Sequence, residues 1–373
     1  MLKRILRPVK RYFRHTDALM LFLIVCICAF SLVLTFSTTR SYGSNKYIVI
    51  QAGAMLIGFV GYIIASLLDL ERFPRLWILL FVFNILFQVS LRFFGVAGDT
   101  GNRSWIRFGP IGVQPGEIGK IIFIYTMACH ISLLRDRLNS VFSVAQLLLH
   151  TLVTTGAVYF FSKDLGVTIM YPLIFVIMFF AGGVSLLWLG GLTAAGGAAL
   201  PLLWSKMSEN QRFRILVVFE PELSSRFAWH AQQSMQALRG GGLFGQGLLR
   251  GAKVQSSTLY GKHTDFIFSS CGEELGFVGC ALLLLLLAAL VMRVLHISGK
   301  SAGTFDRLMC AGVGGMMTVQ ILINIGMCAG VMPVIGLTLP LVSYGGSSIV
   351  TTLTALGFVC GAAMRQKPSW LRN

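Results

Sequence analysis

Long apolar runs are the feature that most limits what this chain can fold into. An α-helix needs roughly 20 apolar residues to cross a hydrocarbon layer about 30 Å thick, and backbone groups inside that layer must bond to one another. Ten runs of this kind recur along the chain, at 17–37, 47–68, 75–94, 116–133, 143–162, 165–183, 185–204, 265–295, 305–329 and 340–363. Because only 12% of the 373 residues are Asp, Glu, Lys or Arg, water cannot solvate most of the chain. We predict an all-α integral membrane protein with ten transmembrane helices.

Basic residues predict the orientation, since Lys and Arg are enriched at the cytoplasmic ends of membrane helices. They precede the first run and flank alternate turns between runs: Lys3, Arg4, Arg7, Lys10, Arg11, Arg14, Arg72, Arg75, Arg135, Arg137, Arg293, Lys300, Arg307, Arg365, Lys367 and Arg372. We therefore expect residues 1–373 to form a single polytopic domain with both termini cytoplasmic. Residues 1–16 would be a basic amino-terminal segment, 364–373 the carboxyl-terminal segment, and 205–264 a large extracellular loop between helices 7 and 8.

The distribution of charge along the chain indicates which classes of ligand it can bind. The predicted loop 205–264 carries eight Lys or Arg and three Glu, which suits a phosphate or another anionic ligand at the outer surface. The net charge of +17 does not require nucleic acid, because anionic lipid beside the cytoplasmic basic residues accounts for most of it. The eight cysteines lie mostly inside apolar runs without a C-x-x-C spacing, and no Walker-type loop occurs, so neither a metal framework nor ATP-driven chemistry is indicated.

Ionisable residues at the outer ends of membrane helices are the candidates for function. Glu117 and Lys120 begin the fourth run three positions apart, which places them on one helix face, with Pro115 in the first turn. Two interpretations remain open: an ion pair that fixes helix packing, or an anion site at a helix N-terminus.

Two arginines lie just before this run, on either side of Trp105. Arg103 and Arg107 beside Lys120 resemble a clamp for a diphosphate, whereas Trp105 itself is more typical of an interfacial anchor. Lys163 and Asp164, in a short outer connection, fit a solvated ion pair at least as well as a functional role.

Asp265 stands at the entry to the eighth run, where water gives way to lipid. Burial raises the pKa of such a carboxylate and nearby cations such as Lys262 or Arg250 lower it, which is the tuning that a general base requires. The alternative is a helix N-cap, for which Thr264 would also serve. Glu273, eight residues on, would lie about 12 Å further along a helix, too far for the carboxylate pair of a glycosidase. We expect Glu273 and Glu274 to hold neighbouring helices through buried hydrogen bonds.

Several segments together resemble the RodA/FtsW/SpoVE family, the shape, elongation, division and sporulation proteins of bacterial cell-wall synthesis. The strongest match, at 324–348, reads NIGMCAGVMPVIGLTLPLVSYGGSS. Further matches are HTDFI at 263–267, EELG at 273–276, Q-P-x-E at 114–117 and GGGLFGQG at 240–247. The likeness covers nearly the whole chain. One departure is Gly116, where the family often has Ser.

The resemblance implies a peptidoglycan glycosyltransferase that polymerises lipid II, the undecaprenyl-diphosphate-linked disaccharide-peptide, at the outer face of the bacterial cytoplasmic membrane. Asp265 matches the family's essential aspartate and becomes the candidate base, and Glu117 and Lys120 match positions that are important in the family. Chemistry alone adds candidate contacts to the substrate at Arg103, Arg107, Arg212, Arg250 and Lys262. Candidate supporting residues, besides Glu273 and Glu274, are Pro333, Ser343, Gly345 and Gly346.

The resemblance also implies partners. A class B penicillin-binding protein would crosslink the new strand, and other elongasome or divisome proteins would assemble with the pair. The sequence does not decide on a cofactor: a divalent cation, Mg²⁺ or Mn²⁺, could assist the leaving group, but no ligand cluster demands one. Two other functions remain to be tested, a lipid II transporter without chemistry and a noncatalytic scaffold. Whether the chain serves elongation, division or sporulation stays open.

Overall fold

The computed structural model describes residues 15–69, 76–96, 102–109, 111–220, 225–256 and 258–366, together with Tyr12 and Glu222. Helices dominate this part of the chain, as the apolar runs predict. They are α1 (Ala18–Thr39), α2 (Lys46–Leu67), α3 (Leu76–Val89), α4 (Leu91–Phe94), α5 (Pro115–Leu133), α6 (Val141–Ser162), α7 (Leu165–Ala181), α8 (Leu186–Lys206), α9 (Glu209–Leu216), α10 (Ser225–Gly241), α11 (Ala252–Gln255), α12 (Ile267–Lys300), α13 (Thr304–Cys328) and α14 (Gly346–Gln366). Single 3₁₀ turns follow α1 at Arg40–Tyr42 and α5 at Arg135–Arg137.

The membrane character of the chain is confirmed. Seven segments among the described residues are long and apolar enough to cross a bilayer: Ala18–Tyr42, Lys46–Leu67, Leu76–Phe94, Val141–Ser162, Ile267–Lys300, Thr304–Cys328 and Gly346–Gln366. The shorter apolar helix Leu165–Ala181 is the eighth candidate. Large apolar side chains on their outer faces are exposed, such as Leu56, Leu79 and Leu285, which is the pattern of a bundle that has lipid around it.

A small antiparallel sheet precedes α5 and corrects the all-α prediction for that stretch. Its strands are β1 (Gly95–Val96), β2 (Trp105–Phe108) and β3 (Ile111–Val113), in the order β1-β2-β3. Ile106, in the central strand, is buried at 7% exposure. The Oγ of Ser347 accepts a hydrogen bond from the Gln114 N–H at 3.1 Å and donates one to the Gly112 carbonyl at 2.9 Å, so the sheet is fastened to the start of α14. Strands this short lie below the length at which alternation is recognisable in a sequence.

The described part of the predicted outer loop 205–264 is folded and contains three helices. Ser208 begins α9 with a capping box, in which its side chain accepts from the Gln211 N–H and the Gln211 side chain accepts from the Ser208 N–H. The loop then carries α10 and ends in α11, which packs on α12. Its position relative to the membrane stays a prediction.

The helix α12 is broken at Gly276, whose φ of 66° and ψ of −165° are not helical. The Gly-rich turn at 241–247 fills the break. The Gly242 and Leu243 carbonyls accept from the N–H groups of Phe277 at 2.9 Å and Val278 at 3.1 Å. In return, the Glu273 carbonyl accepts from the Gln246 N–H at 2.9 Å. Backbone groups that the break exposes are thereby satisfied inside the protein, as a membrane-embedded helix requires.

The last predicted run divides into two parts. Residues 331–345 are not helical, although Leu339, Leu341 and Val342 are almost completely buried, and α14 begins only at Gly346. The non-helical backbone inside the bundle therefore extends to Gly345, and Ser347 and Ser348 already belong to the helix.

Close packing of α14 on α2 depends on Gly357. A Cβ at this position would lie 2.4 Å from the carbonyl oxygen and 2.7 Å from the Cα of Tyr62, so the backbones of the two helices would have to separate. We expect Gly357→Val to lower the free energy of unfolding by about 1–3 kcal/mol. Gly156→Val is the matched control, because no atom lies within 4 Å of a Cβ at Gly156.

The measurement is the apparent melting temperature of both variants in detergent beside the unsubstituted protein. Equal melting temperatures for the two variants would contradict the close contact of α14 with α2.

Candidate functional site

A large cavity lies where α4, residues 102–103 before β2, the α6–α7 turn, α9, α10 and the segment before α12 meet. Its volume is about 1270 Å³, more than the roughly 300–1,000 Å³ of a typical small-molecule pocket. Among the described residues, five basic side chains line it, and the one carboxylate on its wall is that of Asp265. The basic residues are Arg92, Arg103, Lys163, Lys206 and Arg214. A cavity with this charge balance suits a large anionic ligand.

The backbone around Asp265 is held from two sides. Asn324, on α13, donates its side-chain amide to the Asp265 carbonyl at 2.8 Å and to the Leu337 carbonyl at 2.7 Å. Ser343 donates its hydroxyl to the Thr264 carbonyl at 2.7 Å, and the Tyr344 N–H donates to the His263 carbonyl at 2.8 Å. The non-helical segment 331–345 thus fixes where the Asp265 side chain enters the cavity.

The Asp265 carboxylate makes no helix-capping hydrogen bond. The N-cap of α12 is Phe266, and no side chain caps that helix. The N-cap interpretation of Asp265 and Thr264 is therefore wrong, because the chain turns into the helix one residue after Asp265 and Asp265 lines the cavity.

Burial and, to a lesser extent, the negative charge of Asp164 raise the pKa of Asp265 to about 6, and Arg214 partly offsets them. Burial also raises the pKa of Asp164, while hydrogen bonds from the Val167 N–H and the Ser104 side chain lower it. A carboxylate with a pKa near 6 is still ionised at neutral pH and accepts a proton more readily than an ordinary aspartate.

Asp164 has structural contacts that the sequence analysis did not predict. One carboxylate oxygen caps α7 by accepting from the Val167 N–H at 3.3 Å, and the other accepts from the Gln114 side-chain amide at 3.3 Å. Asp164 does not pair with Lys163 in the described structure, and Lys163 instead lines the cavity. The signal in the sequence was the position of an Asp just before an apolar run, which is typical of an N-cap.

Glu117 and Lys120 form a buried ion pair in the first turns of α5. The Lys120 Nζ lies 2.8 Å from the Glu117 Oε1, and the two residues are only 1% and 4% exposed. Neither is on the cavity wall. Of the two interpretations, the geometry displays the packing ion pair, and Gln114 at the N-cap of α5 connects this helix to Asp164.

Of the five Arg and Lys side chains predicted from chemistry alone to contact the substrate, one lies on the cavity wall and four lie elsewhere. Arg103 lines the cavity, whereas Arg107 is exposed on β2, and neither Arg107 nor Arg250 is among the lining residues. Arg212 donates to the carbonyls of Trp204 and Ser205, each at 3.0 Å.

Lys262 is the fourth of these cations and is fully buried. Its Nζ donates to the Ser41 Oγ at 2.6 Å and to the Val254 carbonyl, and it lies 4.7 Å from the centre of the Tyr42 ring. Burial lowers the pKa of Lys262 to about 8 against the opposing effect of Glu274. Lys262 thus anchors the segment 261–265 to Ser41 and Val254 inside the protein.

The wall cations that the sequence analysis missed are Arg92, Lys206 and Arg214. Arg92 and Lys206 end helical segments, where a basic residue is unremarkable in a membrane protein, so nothing in the local pattern marks them. Arg214 is two positions after Arg212, and only the orientation of α9 decides which of the two faces the cavity.

The predicted supporting residues connect neighbouring elements. Glu273 accepts from the N–H groups of Lys253 at 2.9 Å and Val254 at 2.8 Å, at the first turn of α11. Glu274 accepts from the Ser37 hydroxyl at 2.5 Å and from the Gln255 amide at 2.9 Å, which joins α12 to α1 and α11.

The remaining predicted supports lie in and after the non-helical segment. The Ser343 Oγ also accepts from the Leu339 N–H at 2.8 Å, and the Gly345 N–H donates to the Gln51 side chain at 3.4 Å. Gly346 is the first residue of α14, and Pro333 precedes Val334, which lines the cavity. Among the described residues, no group of three or more His, Cys, Asp or Glu is arranged to hold a metal ion, and the divalent cation stays a prediction.

Comparison with known proteins decides the family. The model of the FtsW/RodA/SpoVE family, described as "Cell cycle protein", matches residues 12–368. The chain belongs to the FtsW/RodA/SpoVE family. It is 31% identical over 363 residues to the peptidoglycan glycosyltransferase MrdB of Escherichia coli K12, with 95% of each chain covered. It is 30% identical over 386 residues to the probable peptidoglycan glycosyltransferase FtsW of Bacillus subtilis 168, with 97% of this chain and 94% of the relative covered.

Solved structures of the family share the fold. The crystal structure of the rod-shape-determining protein RodA of Thermus thermophilus is 26% identical and superimposes with a TM-score of 0.71, over 95% of this chain and 98% of that one. A chain in a structure on "coordination of polymerization and crosslinking by a peptidoglycan synthase complex" is 28% identical, with a TM-score of 0.81 over 95% of this chain and 99% of the other. The resemblance that the motifs indicated is confirmed.

The raised pKa of Asp265 predicts a pH-dependent cost to stability. The folded state holds a proton on Asp265 up to a pH of about 6, while the unfolded chain releases it near the ordinary aspartate pKa of 3.8. Stability therefore falls as pH rises through this interval. We expect Asp265→Asn to be more stable than the unsubstituted protein at pH about 7.5, by on the order of 1–3 kcal/mol, and the difference to vanish near pH 4.

Melting temperatures of both proteins across this pH range test the expectation. Asp136→Asn, at an exposed carboxylate in the 3₁₀ turn after α5, is the control and should leave the melting temperature unchanged. A pH-independent gain, or a loss at neutral pH, would show that the Asp265 carboxylate is not destabilised by its surroundings.

Proposed function

We propose that this family member is a peptidoglycan glycosyltransferase that polymerises lipid II in the cavity around Asp265. The observation that carries the proposal is one carboxylate, with a pKa raised to about 6, on a cavity wall whose other charged side chains, among the described residues, are all basic. The reaction needs one base and a surface that accepts a diphosphate, and the cavity combines them. The curated relatives named above are glycosyltransferases of this kind by name.

In the proposed step, the 4-hydroxyl of the acceptor sugar attacks the anomeric carbon of the donor. A new C–O bond forms, the bond between that carbon and the diphosphate oxygen breaks, and undecaprenyl diphosphate leaves with the electron pair. Asp265 takes the hydroxyl proton as general base. Arg103, Lys163, Lys206 and Arg214 balance the charge that grows on the diphosphate.

We further propose ten membrane spans, with α5, α7 and α8 added to the seven spans identified by length and apolarity. Two ion pairs support the orientation: Asp17 with Arg293 at 2.5 Å, and Asp306 with Arg365 at 2.6 Å. They join the start of α1, the end of α12, the start of α13 and the end of α14, so they mark one end of the bundle. Asp265, just before α12, belongs to the opposite end.

The end with the ion pairs would be cytoplasmic under the positive-inside rule, and Asp265 would face outward. The terminal segments 1–11 and 367–373, with Arg14, Arg72 and Arg75, carry much of the basic charge behind this proposal and lie outside the described residues. In this orientation both termini are cytoplasmic, 205–264 is extracellular, and the membrane is the bacterial cytoplasmic membrane.

A class B penicillin-binding protein is the proposed partner, together with other elongasome or divisome proteins. The support is the structural neighbour from a peptidoglycan synthase complex that coordinates polymerisation with crosslinking. Exposed apolar side chains along α12, such as Phe277, Leu282 and Leu285, leave room for a partner's membrane helix.

Asp265→Asn tests the chemistry. With lipid II and the transpeptidase partner present, we expect the variant to form glycan strands at least about 100-fold more slowly, because the amide cannot take the proton. Strand length and yield are measured after electrophoresis of the product, and Asp136→Asn serves as the folded control.

Equal polymerisation by Asp265→Asn would remove Asp265 from the mechanism. If neither protein made strands but both moved lipid II across vesicle membranes, the transporter would replace the glycosyltransferase. That alternative places its decisive charges near the bilayer midplane, whereas Asp265 lies at the end of the bundle.

Two arginines of α9 form a matched pair for testing the cationic wall. Arg214 lines the cavity and acts electrostatically on Asp265, whereas Arg212 donates to backbone carbonyls of α8. We expect Arg214→Gln to lower kcat/KM for lipid II by roughly 10- to 100-fold through loss of a charged contact. Arg212→Gln should have a much smaller effect on kcat/KM, and the reverse order would show that α9 is turned differently in the working enzyme.

A further inference from the structure

Four aromatic rings meet beside the catalytic segment without forming part of the cavity wall. They are Tyr42 after α1, Tyr47 in the first turn of α2, His263, and Tyr344 before α14. The ring centres lie 5.3 Å apart for Tyr42 and Tyr47, 5.7 Å for Tyr42 and His263, 5.3 Å for Tyr47 and His263, 5.4 Å for Tyr47 and Tyr344, and 5.4 Å for His263 and Tyr344. We call this cluster the aromatic platform.

The platform is a built surface and not a group of mobile side chains. The fully buried Lys262 lies under the Tyr42 ring and is tied to Ser41. His263 and Tyr344 are joined through the backbone by the hydrogen bond from the Tyr344 N–H to the His263 carbonyl. Edge-on and tilted ring contacts of this kind fix each ring against its neighbours.

Parts of the platform are open to a ligand. Tyr42 is 41% exposed, and the other three rings are partly buried. Among the described residues, the hydroxyls of Tyr42, Tyr47 and Tyr344 have no hydrogen-bond partner. Burial and the neighbouring Lys262 lower the pKa of His263 to about 4, so the ring is neutral at pH 7. The platform therefore presents neutral aromatic surface with hydroxyl groups, which suits an uncharged polar ligand better than an anion.

The aromatic platform lies close to Asp265 in the chain. Gly261 and Asp265 line the cavity, while Lys262 and His263 between them are directed to the platform. One short segment thus separates the basic cavity from the aromatic surface. Asp265 and His263 are two residues apart, so a sugar chain that leaves the cavity on this side of the segment meets the aromatic surface.

We propose that the aromatic platform binds the glycan chain at one or two sugars' distance from the reacting bond. Pyranose rings have an apolar face of axial C–H groups that packs on aromatic rings, and ring hydroxyls would bond to the tyrosine hydroxyls. The inference rests on the proposed glycosyltransferase function and adds to it a second subsite, which takes uncharged amino sugars where the cavity takes the diphosphate. Holding the strand there keeps it on the enzyme between successive additions.

The binding test uses the full-length Asp265→Asn protein with its transpeptidase partner, so that no turnover occurs. The probe is a soluble, lipid-free, uncrosslinked glycan oligomer of alternating amino sugars, titrated by calorimetry. Adding Tyr42→Ala should raise the Kd by roughly three- to tenfold, the effect of losing one aromatic contact. Tyr42→Phe should keep most of the affinity, because the ring remains. Phe142→Ala, at an aromatic residue that is 67% exposed on α6 and outside the platform, should leave the Kd unchanged.

The second test measures strand length in protein with Asp265 intact. Tyr42→Ala should yield shorter strands than the unsubstituted protein, and Tyr42→Phe should restore their length. If Tyr42→Ala does not fold, saturation-transfer NMR on the Asp265→Asn protein replaces it, with transfer expected from aromatic ring protons to pyranose protons.

Equal affinity of the Tyr42→Ala and Tyr42→Phe proteins for the oligomer, or no transfer in the NMR experiment, would overturn the platform as a glycan subsite. That result leaves the glycosyltransferase intact as long as polymerisation still depends on Asp265. Loss of the Asp265 dependence would instead remove the proposed function, whatever the oligomer does.

Discussion

Non-helical backbone inside a membrane bundle must find its hydrogen bonds within the protein, and the candidate site depends on how that requirement is met. The segment 331–345 is not helical and enters the bundle interior from Leu337 onward, where side chains supply the hydrogen bonds that a helix would have supplied. Asn324 bonds to the carbonyls of Asp265 and Leu337, and Ser343 bonds to the Thr264 carbonyl and the Leu339 N–H. These bonds satisfy the buried segment and at the same time position the residue proposed as the base. The same contacts therefore satisfy the buried backbone groups and place the Asp265 carboxylate.

The charges around the cavity affect both the stability of the fold and the basicity of Asp265. A carboxylate that is buried and close to Asp164 is less stable when ionised, and Arg214 compensates only in part. Such a residue lowers the free energy of unfolding at neutral pH and is at the same time a stronger base than an ordinary aspartate. The basic residues around it arrive from separate elements, including α4, the β1–β2 connection, the α6–α7 turn and α9. Because their positions depend on several helices at once, the anion-binding character of the cavity belongs to the assembled bundle and to no single motif.

A chain of contacts leads from the cavity into the protein. Asp164 caps α7 and accepts from Gln114 at the N-cap of α5, and the first turns of α5 contain the buried pair of Glu117 and Lys120. Breaking a buried ion pair by removing one partner leaves an uncompensated charge. Substitutions at Glu117 or Lys120 would therefore disturb α5 and Asp164 without any direct contact with the substrate. This is the route by which the ion pair would act on the site.

The length and apolarity of the runs, the spacing of the basic flanks and the motifs around Asp265 and Ser343 were enough to predict a multi-pass helical membrane protein, its family and its candidate base. Those features are local, since a helix in lipid must satisfy its own backbone and a motif is read from adjacent residues. The small sheet before α5, the break of α12 at Gly276 and the folding of 205–264 into helices were not predictable, because each depends on contacts with residues far away in the chain. The same holds for the cationic wall: Arg212 and Arg214 are equivalent in the sequence, and only the packing of α9 turns one toward Asp265 and the other toward backbone carbonyls. The sequence by itself therefore determined which chemistry the chain can perform, and the tertiary structure decided which side chains are brought together to perform it.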